Sequence, residues 1–180
     1  MNLILILLTT TAILTFLSGL LSVTGAAKND RGRIAWFFVS NLGAVIWAIS
    51  CGYFLNLPPD ATEIAPWFVR GIYIGAFVML VPLIGFSGWK YRIGKVLTVL
   101  FIVASAVMSV LLIHDPSLLY SGIFLNNSGN RVELVTSGGW YYYAYAVIIA
   151  LSVIVFNALT FYSARHARSK RLRNADNILL

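Results

Sequence analysis

The chain is poor in the groups that chemistry usually needs. One cysteine, Cys51, stands among 180 residues, which excludes an internal disulfide and any CxxC metal site. It lies inside an apolar run, where a thiol behaves as a small hydrophobe. There are two histidines, His114 and His166, and the topology read below puts them on opposite faces of a membrane, too far apart to share a metal or a haem. Charged residues make up 11% of the chain, against about 25% in a soluble domain. No Asp or Glu falls inside an apolar run, so nothing there can relay protons or hold a coupling ion. The phosphate-cradling GxxxxGK[ST], the nucleophile motif GxSxG and the zinc motif HExxH are all missing. These absences argue against catalysis within the chain and against a bound cofactor or metal.

What is abundant is hydrocarbon. Hydrophobic residues form 59% of the chain and the mean hydropathy is +0.85. A helix rising 1.5 Å per residue needs about 20 apolar residues to cross a hydrocarbon core about 30 Å thick. Five segments qualify, at 2–24, 34–55, 67–88, 96–113 and 140–164. Val23-Thr24-Gly25 resembles a cleavage site, yet no Lys or Arg precedes the first apolar run, which is also too long for the core of a signal peptide. The first segment is therefore read as a retained helix, with Ser18, Gly19 and Ser22 as its packing face.

Thirteen Lys and Arg against six Asp and Glu give a net charge of +7. Such a charge suggests nucleic acid until the positions are read. Lys28, Arg31 and Arg33 occupy the first link, Lys90, Arg92 and Lys95 the third, and Arg165, Arg168, Lys170, Arg171 and Arg173 the tail. The second link, NLPPDATEIAP, has no basic residue, and the long fourth link has only Arg131. The alternation is an orientation signal: N-terminus outside, C-terminus cytoplasmic, in a multi-pass protein of the plasma or inner membrane. The bilayer, not nucleic acid, is the expected partner.

Inside lipid no hydrophobic force draws helices together, so small residues and hydrogen bonds must hold the bundle. Ser40, Ala44, Ala48 and Gly52 form a stripe on the second helix, Gly71 and Gly75 a GxxxG pattern on the third, and Ser105 and Ser109 lie on the fourth. GxxxG allows a homodimer, with packing inside one chain the preferred reading. Pro82 removes a backbone donor and should bend the third helix. Asn41 and Asn157 lie at similar depth and could bond to each other or each to a backbone carbonyl. Arg70, one turn inside the third helix, either reaches up to the headgroups or faces inward to Glu63, Asp60, Asp115, Glu133 or an anionic ligand.

The longest polar interruption starts at His114. Asp115-Pro116 ends the fourth helix. Two runs of strand formers, Gly122-Ile123-Phe124-Leu125 and Val132-Glu133-Leu134-Val135, flank Asn126-Asn127-Ser128-Gly129-Asn130, which reads as a β-hairpin outside the membrane, an apolar lid over the bundle. Asn126-Asn127-Ser128 also fits a glycosylation pattern, but the same residues are what a hairpin turn needs. Then comes Trp140-Tyr141-Tyr142-Tyr143-Ala144-Tyr145. Four consecutive aromatics point all round a helix, so some face the bundle and, with Tyr53 and Tyr73, could line a cavity. The candidate ligand contacts are Arg70, Tyr73, His114, Asp115, Trp140, Tyr141 and Tyr142.

The outside N-terminus, the tryptophan-bearing second helix (Trp36, Trp47), the third helix with Tyr73, and a long loop entering the fifth helix through GGWYYYAY together resemble the N-terminal seven-helix sensor region of bacterial membrane histidine kinases and related signalling proteins. His114-Asp115-Pro116 matches only part of that family's loop entry, so no ligand contact is transferred from it. The resemblance implies an all-α membrane bundle forming a single sensor domain over 1–180. That domain would be the input module of a two-component system, passing a stimulus to a cytoplasmic output domain or partner. Five helices where the family has seven imply a truncated module, with Ile178-Leu179-Leu180 opening a sixth. The alternative is an accessory subunit of a larger membrane complex.

Overall fold

The computed structural model describes residues 3–24, 30–58, 63–125, 132–136 and 139–176. Five helices carry the fold: α1 (Leu3–Thr24), α2 (Arg31–Phe54), α3 (Ala65–Gly88), α4 (Arg92–His114) and α5 (Trp140–Asp176). All five are long and apolar enough to span a bilayer. The second to fourth helices extend a few residues into their links, and α5 continues past residue 164. At 1.5 Å per residue its 37 residues reach about 55 Å, well beyond a hydrocarbon core.

The α3 helix is the hub. It packs against α2, α4 and α5, whereas α1 leans on α2. Its face is built for this role, with Ala65, Val69, Ala76, Phe77, Val81 and Ile84 buried. Helices that are neighbours in sequence run antiparallel. The tightest link joins α3 to α4, where a Cβ placed on Gly88 would lie 2.6 Å from Gly94 Cα and Tyr91 N donates to Gly88 O over 2.9 Å. By contrast α5 runs parallel to α3, and the two touch from Tyr73 and Tyr145 near one end to Ser87 and Thr160 near the other. The first of these ends carries the hairpin and the second the basic links.

The α2–α3 contact is the most extensive in the bundle. A side chain on Gly75 would meet Trp47 N at 2.7 Å and Trp47 Cα at 3.0 Å, and one on Gly43 would strike the backbone of Val78 and Met79. Gly71 sits against Ser50, and Ser40 Oγ donates to Met79 O over 2.5 Å. The GxxxG pattern is thus filled by α2 of the same chain. The seam on α2 differs from the four-residue stripe of the sequence. Against α3 it runs through Ser40, Gly43, Trp47 and Ser50, because with 3.6 residues per turn a strict i+4 row drifts about 40° per step, while Ala48 and Gly52 of the stripe are buried as well. Pro82 lies within α3, which continues through it to Gly88.

Asn41 and Asn157 do not pair. Asn157 Nδ2 donates to Val153 O on its own helix over 2.8 Å. Asn41 is 8% exposed, packs beside Gly19 of α1, and its Nδ2 has no partner. The reason is architectural, since α3 stands between the helices that carry them.

After α4 the chain turns through a 3₁₀ segment, Pro116–Leu118, into β1 (Tyr120–Leu125), which pairs antiparallel with β2 (Val132–Thr136). Partners run from Leu125 opposite Val132 to Gly122 opposite Val135, with a one-residue bulge before Tyr120 meets Thr136. The turn Asn126–Asn130 and the apolar side chains expected to form a lid lie outside the described residues.

Gly75→Ala should lower stability by about 1–3 kcal/mol, the cost of inserting atoms into a packed interface, despite alanine's better helix propensity. Gly43→Ala should cost at least as much. Unfolding in mixed micelles would measure both, and unchanged stability would mean that the α2–α3 contact is looser than described.

Candidate functional site

Near the hairpin end a cavity of about 500 Å³ opens between α3 and α5. On the α3 side it is lined by Val69, Ile72 and Tyr73, on the α5 side by Tyr142, Tyr145, Ala146, Ile149 and Ala150, and Phe54 of α2 adds to the wall. The α5 positions recur at three- and four-residue steps, which places them on one face of a helix. Alanines at 146 and 150 make the hollow, because small side chains there leave space beside Tyr142 and Tyr145. Its volume suits a small organic ligand.

Tyr145 is the pivot of this wall. Its ring lies 4.6 Å from that of Tyr73, edge to face, and 5.0 Å from that of Phe77, within the range of favourable aromatic pairs. Behind it Tyr141 is fully buried among Val69, Phe77, Met108, Leu112 and Leu119. A buried phenol needs a partner, and Tyr141 Oη donates to Met108 O of α4 over 2.7 Å. Tyr141 therefore fastens the start of α5 to α4, while Tyr145 faces α3.

Of the residues singled out from sequence, Tyr73 and Tyr142 line the cavity and Tyr141 supports it from behind. Trp140 is 60% exposed and Tyr143 64%, the lipid-facing part of the aromatic run. His114 is exposed at the end of α4. Asp115 is turned to local work: its Oδ1 accepts from Ser117 N at 3.1 Å and from Ser117 Oγ at 2.5 Å, capping the 3₁₀ segment. Arg70 is half-buried and lays its guanidinium over the Trp67 ring, 4.6 Å from the centroid. Its Nε has no hydrogen-bond partner, and among the described side chains no carboxylate pairs with it. Tyr53 turns away from the cavity and stacks on Phe68 at 5.5 Å. The next residue, Phe54, is about 100° further round the helix and takes the place expected of it.

Sequence reasoning missed Tyr145, Ile149 and Phe54 as lining residues. A signal for the first two was present, since Tyr142, Tyr145 and Ile149 follow helical spacing from an aromatic already chosen. Among the described residues no three metal-ligating side chains converge. The cavity offers a mainly apolar wall with a few phenol hydroxyls, which can bind and orient a ligand.

A family model described as the N-terminal 7TM region of histidine kinase matches residues 7–178. The chain belongs to that family. Its five apolar helices accord with a multi-pass membrane protein, and a histidine kinase 7TM region is an input module, whose kinase lies in a separate domain. No curated protein and no solved structure matches the chain.

Tyr141→Phe should keep the packing but lose the bond to Met108 O, a cost of about 0.6–1.7 kcal/mol for a hydrogen bond between membrane helices. Unfolding of the variant in micelles tests this, and a neutral result would remove Tyr141 as the α4–α5 fastener.

Proposed function

We propose that the chain detects a stimulus in the cavity between α3 and α5 and transmits it along α5 to a cytoplasmic output domain. The observation that carries this reading is the continuity of α5, which lines the cavity through Tyr142 and Tyr145 and runs unbroken to Asp176. A ligand that pushes on these tyrosines tilts or turns a rigid helix whose far end lies beyond the apolar span. Such coupling requires two packings with different affinity for the stimulus. The edge-to-face contact of Tyr145 with Tyr73 supplies a joint at which they can differ.

The basic residues clustered at the ends of α1–α2, α3–α4 and α5 support placing that end in the cytoplasm and the hairpin outside. Of the ligand contacts read from sequence, Tyr73 and Tyr142 are the retained pair. Arg70 is a reserve, since its Nε is buried without a partner. Because the GxxxG face is occupied within the chain, a homodimer would have to use another surface, and the exposed flank of α5 is available for it. Family membership favours this input reading over an accessory-subunit role.

Two experiments test the proposal. In a fusion of the chain to a histidine kinase catalytic region, Ala146→Trp should fill the cavity and shift basal autophosphorylation at least about fivefold, the lower range of allosteric coupling. A Gly-Gly insertion after Ala164, which breaks the helix, should cancel that shift. A filled cavity that leaves the kinase rate unchanged rejects the input site. For orientation, Asn127→Cys in a Cys51→Ala background should react with an impermeant maleimide in intact cells, whereas Arg173→Cys should react after lysis, and the reverse pattern rejects the orientation.

A further inference from the structure

At the basic end of the bundle a second cavity, of about 380 Å³, lies between α2, α3 and α5. We propose that it binds the phosphate of an anionic membrane lipid, a phosphodiester headgroup carrying free hydroxyls of the phosphatidylglycerol type. The walls bring together two cations, Arg33 and Lys90, and three hydroxyls, Ser87, Thr160 and Ser163. Among the described residues neither cation is in an ion pair. Arg33 is held in place by Phe86, whose ring centroid lies 4.3 Å from Cζ. Stacking of this kind occupies the guanidinium face and leaves its N–H edge free for oxygen.

The hydroxyls divide the headgroup's chemistry. Thr160 Oγ1 donates to Phe156 O over 2.8 Å, so in the 2.9 Å contact between Ser87 Oγ and Thr160 Oγ1 it is Ser87 that donates. Both protons are spent, and what these two side chains turn to the cavity is lone pairs. Donors to a phosphate are therefore Arg33, Lys90 and the Ser163 hydroxyl, while Ser87 and Thr160 can accept from a headgroup hydroxyl. A phosphodiester with a glycerol-like head satisfies both sets. Inorganic phosphate would use the cations and Ser163 alone.

Position points to a lipid as the source. Arg33 is in the first turn of α2, Ser87 is next to the last residue of α3, and Thr160 and Ser163 lie in the last turns of the apolar span of α5. The cavity thus sits at the end of the apolar spans, the level of headgroups, and, with the cytoplasmic orientation proposed above, basic pockets between membrane helices on that side suit anionic lipids. The site is distinct from the α3–α5 cavity at the hairpin end and does not depend on its function.

The test uses the chain in phosphatidylcholine nanodiscs containing a minority of phosphatidylglycerol, with bound lipid counted by native mass spectrometry. Wild type should retain phosphatidylglycerol, and Arg33→Gln/Lys90→Gln should weaken that retention about 30-fold, as two lost basic contacts imply. Arg92→Gln/Lys95→Gln removes the same charge from the same end outside the cavity and should change it little. Equal loss in both double variants would overturn the proposal in favour of diffuse attraction. Ser163→Ala deletes one donor at little risk to folding and should weaken retention about tenfold, and no change there would also count against the site. Inorganic phosphate and glycerol 3-phosphate should fail to displace the lipid at millimolar concentration. Displacement by either would overturn the lipid assignment and make the ligand a soluble phosphate.

Discussion

Everything in this bundle depends on the backbones of α2 and α3 coming close enough for dispersion to hold them. Lipid tails are as apolar as leucine, so burying a leucine between helices gains little over leaving it in the bilayer. Contact density is what remains, and it rises steeply as axes approach. Gly43, Gly71 and Gly75 remove the atoms that would keep the axes apart, and the Ser40 hydroxyl then reaches the Met79 carbonyl across the seam. With α2 and α3 fixed as one body, α1 can rest on α2 and the remaining helices on α3.

The two contacts that hold α5 are of different character. Its junction with α4 near the hairpin end is a hydrogen bond from a fully buried tyrosine, local and directional. Its contact with α3 is a set of aromatic edges at one end and a hydroxyl pair at the other, with a cavity between helices beside each. Packed cores switch between discrete arrangements rather than deforming smoothly. Under the proposed input role, the cavities beside α5 where it faces α3 are the space in which a second arrangement of that helix would be accommodated.

Much of this was legible in the sequence, for physical reasons. Hydrocarbon thickness fixes helix length, so the five spans could be counted, and the absence of any other way to hold helices in lipid marked Gly71 and Gly75 as contact residues. The polar spacing and strand formers of the long link foretold two paired strands. What sequence could not supply was azimuth. Whether Tyr53 or Phe54 faces inward differs by a single residue, and nothing in local composition separates them. The choice is made by where α5 lies, which depends on long-range packing. Arg70 and Asp115 illustrate the same limit: both are polar groups near a membrane boundary, yet one is absorbed by Trp67 and the other by Ser117, short-range partners that compete with any ligand.

The two proposed sites share one helix, and this has a thermodynamic consequence. Tyr142 and Tyr145 line the cavity at one end of α5, and Thr160 and Ser163 line the cavity at the other. Both cavities have α3 as their opposite wall. If occupancy of either changes the spacing or rotation of α5 against α3, the other must respond, because coupling between two sites on one equilibrium is reciprocal. An anionic lipid bound near Ser163 would then set the resting position from which a ligand near Tyr145 moves the helix. The Ser87–Thr160 bond belongs both to the wall of the lipid site and to the α3–α5 seam. It is the contact through which charge at the membrane boundary would reach the aromatic joint.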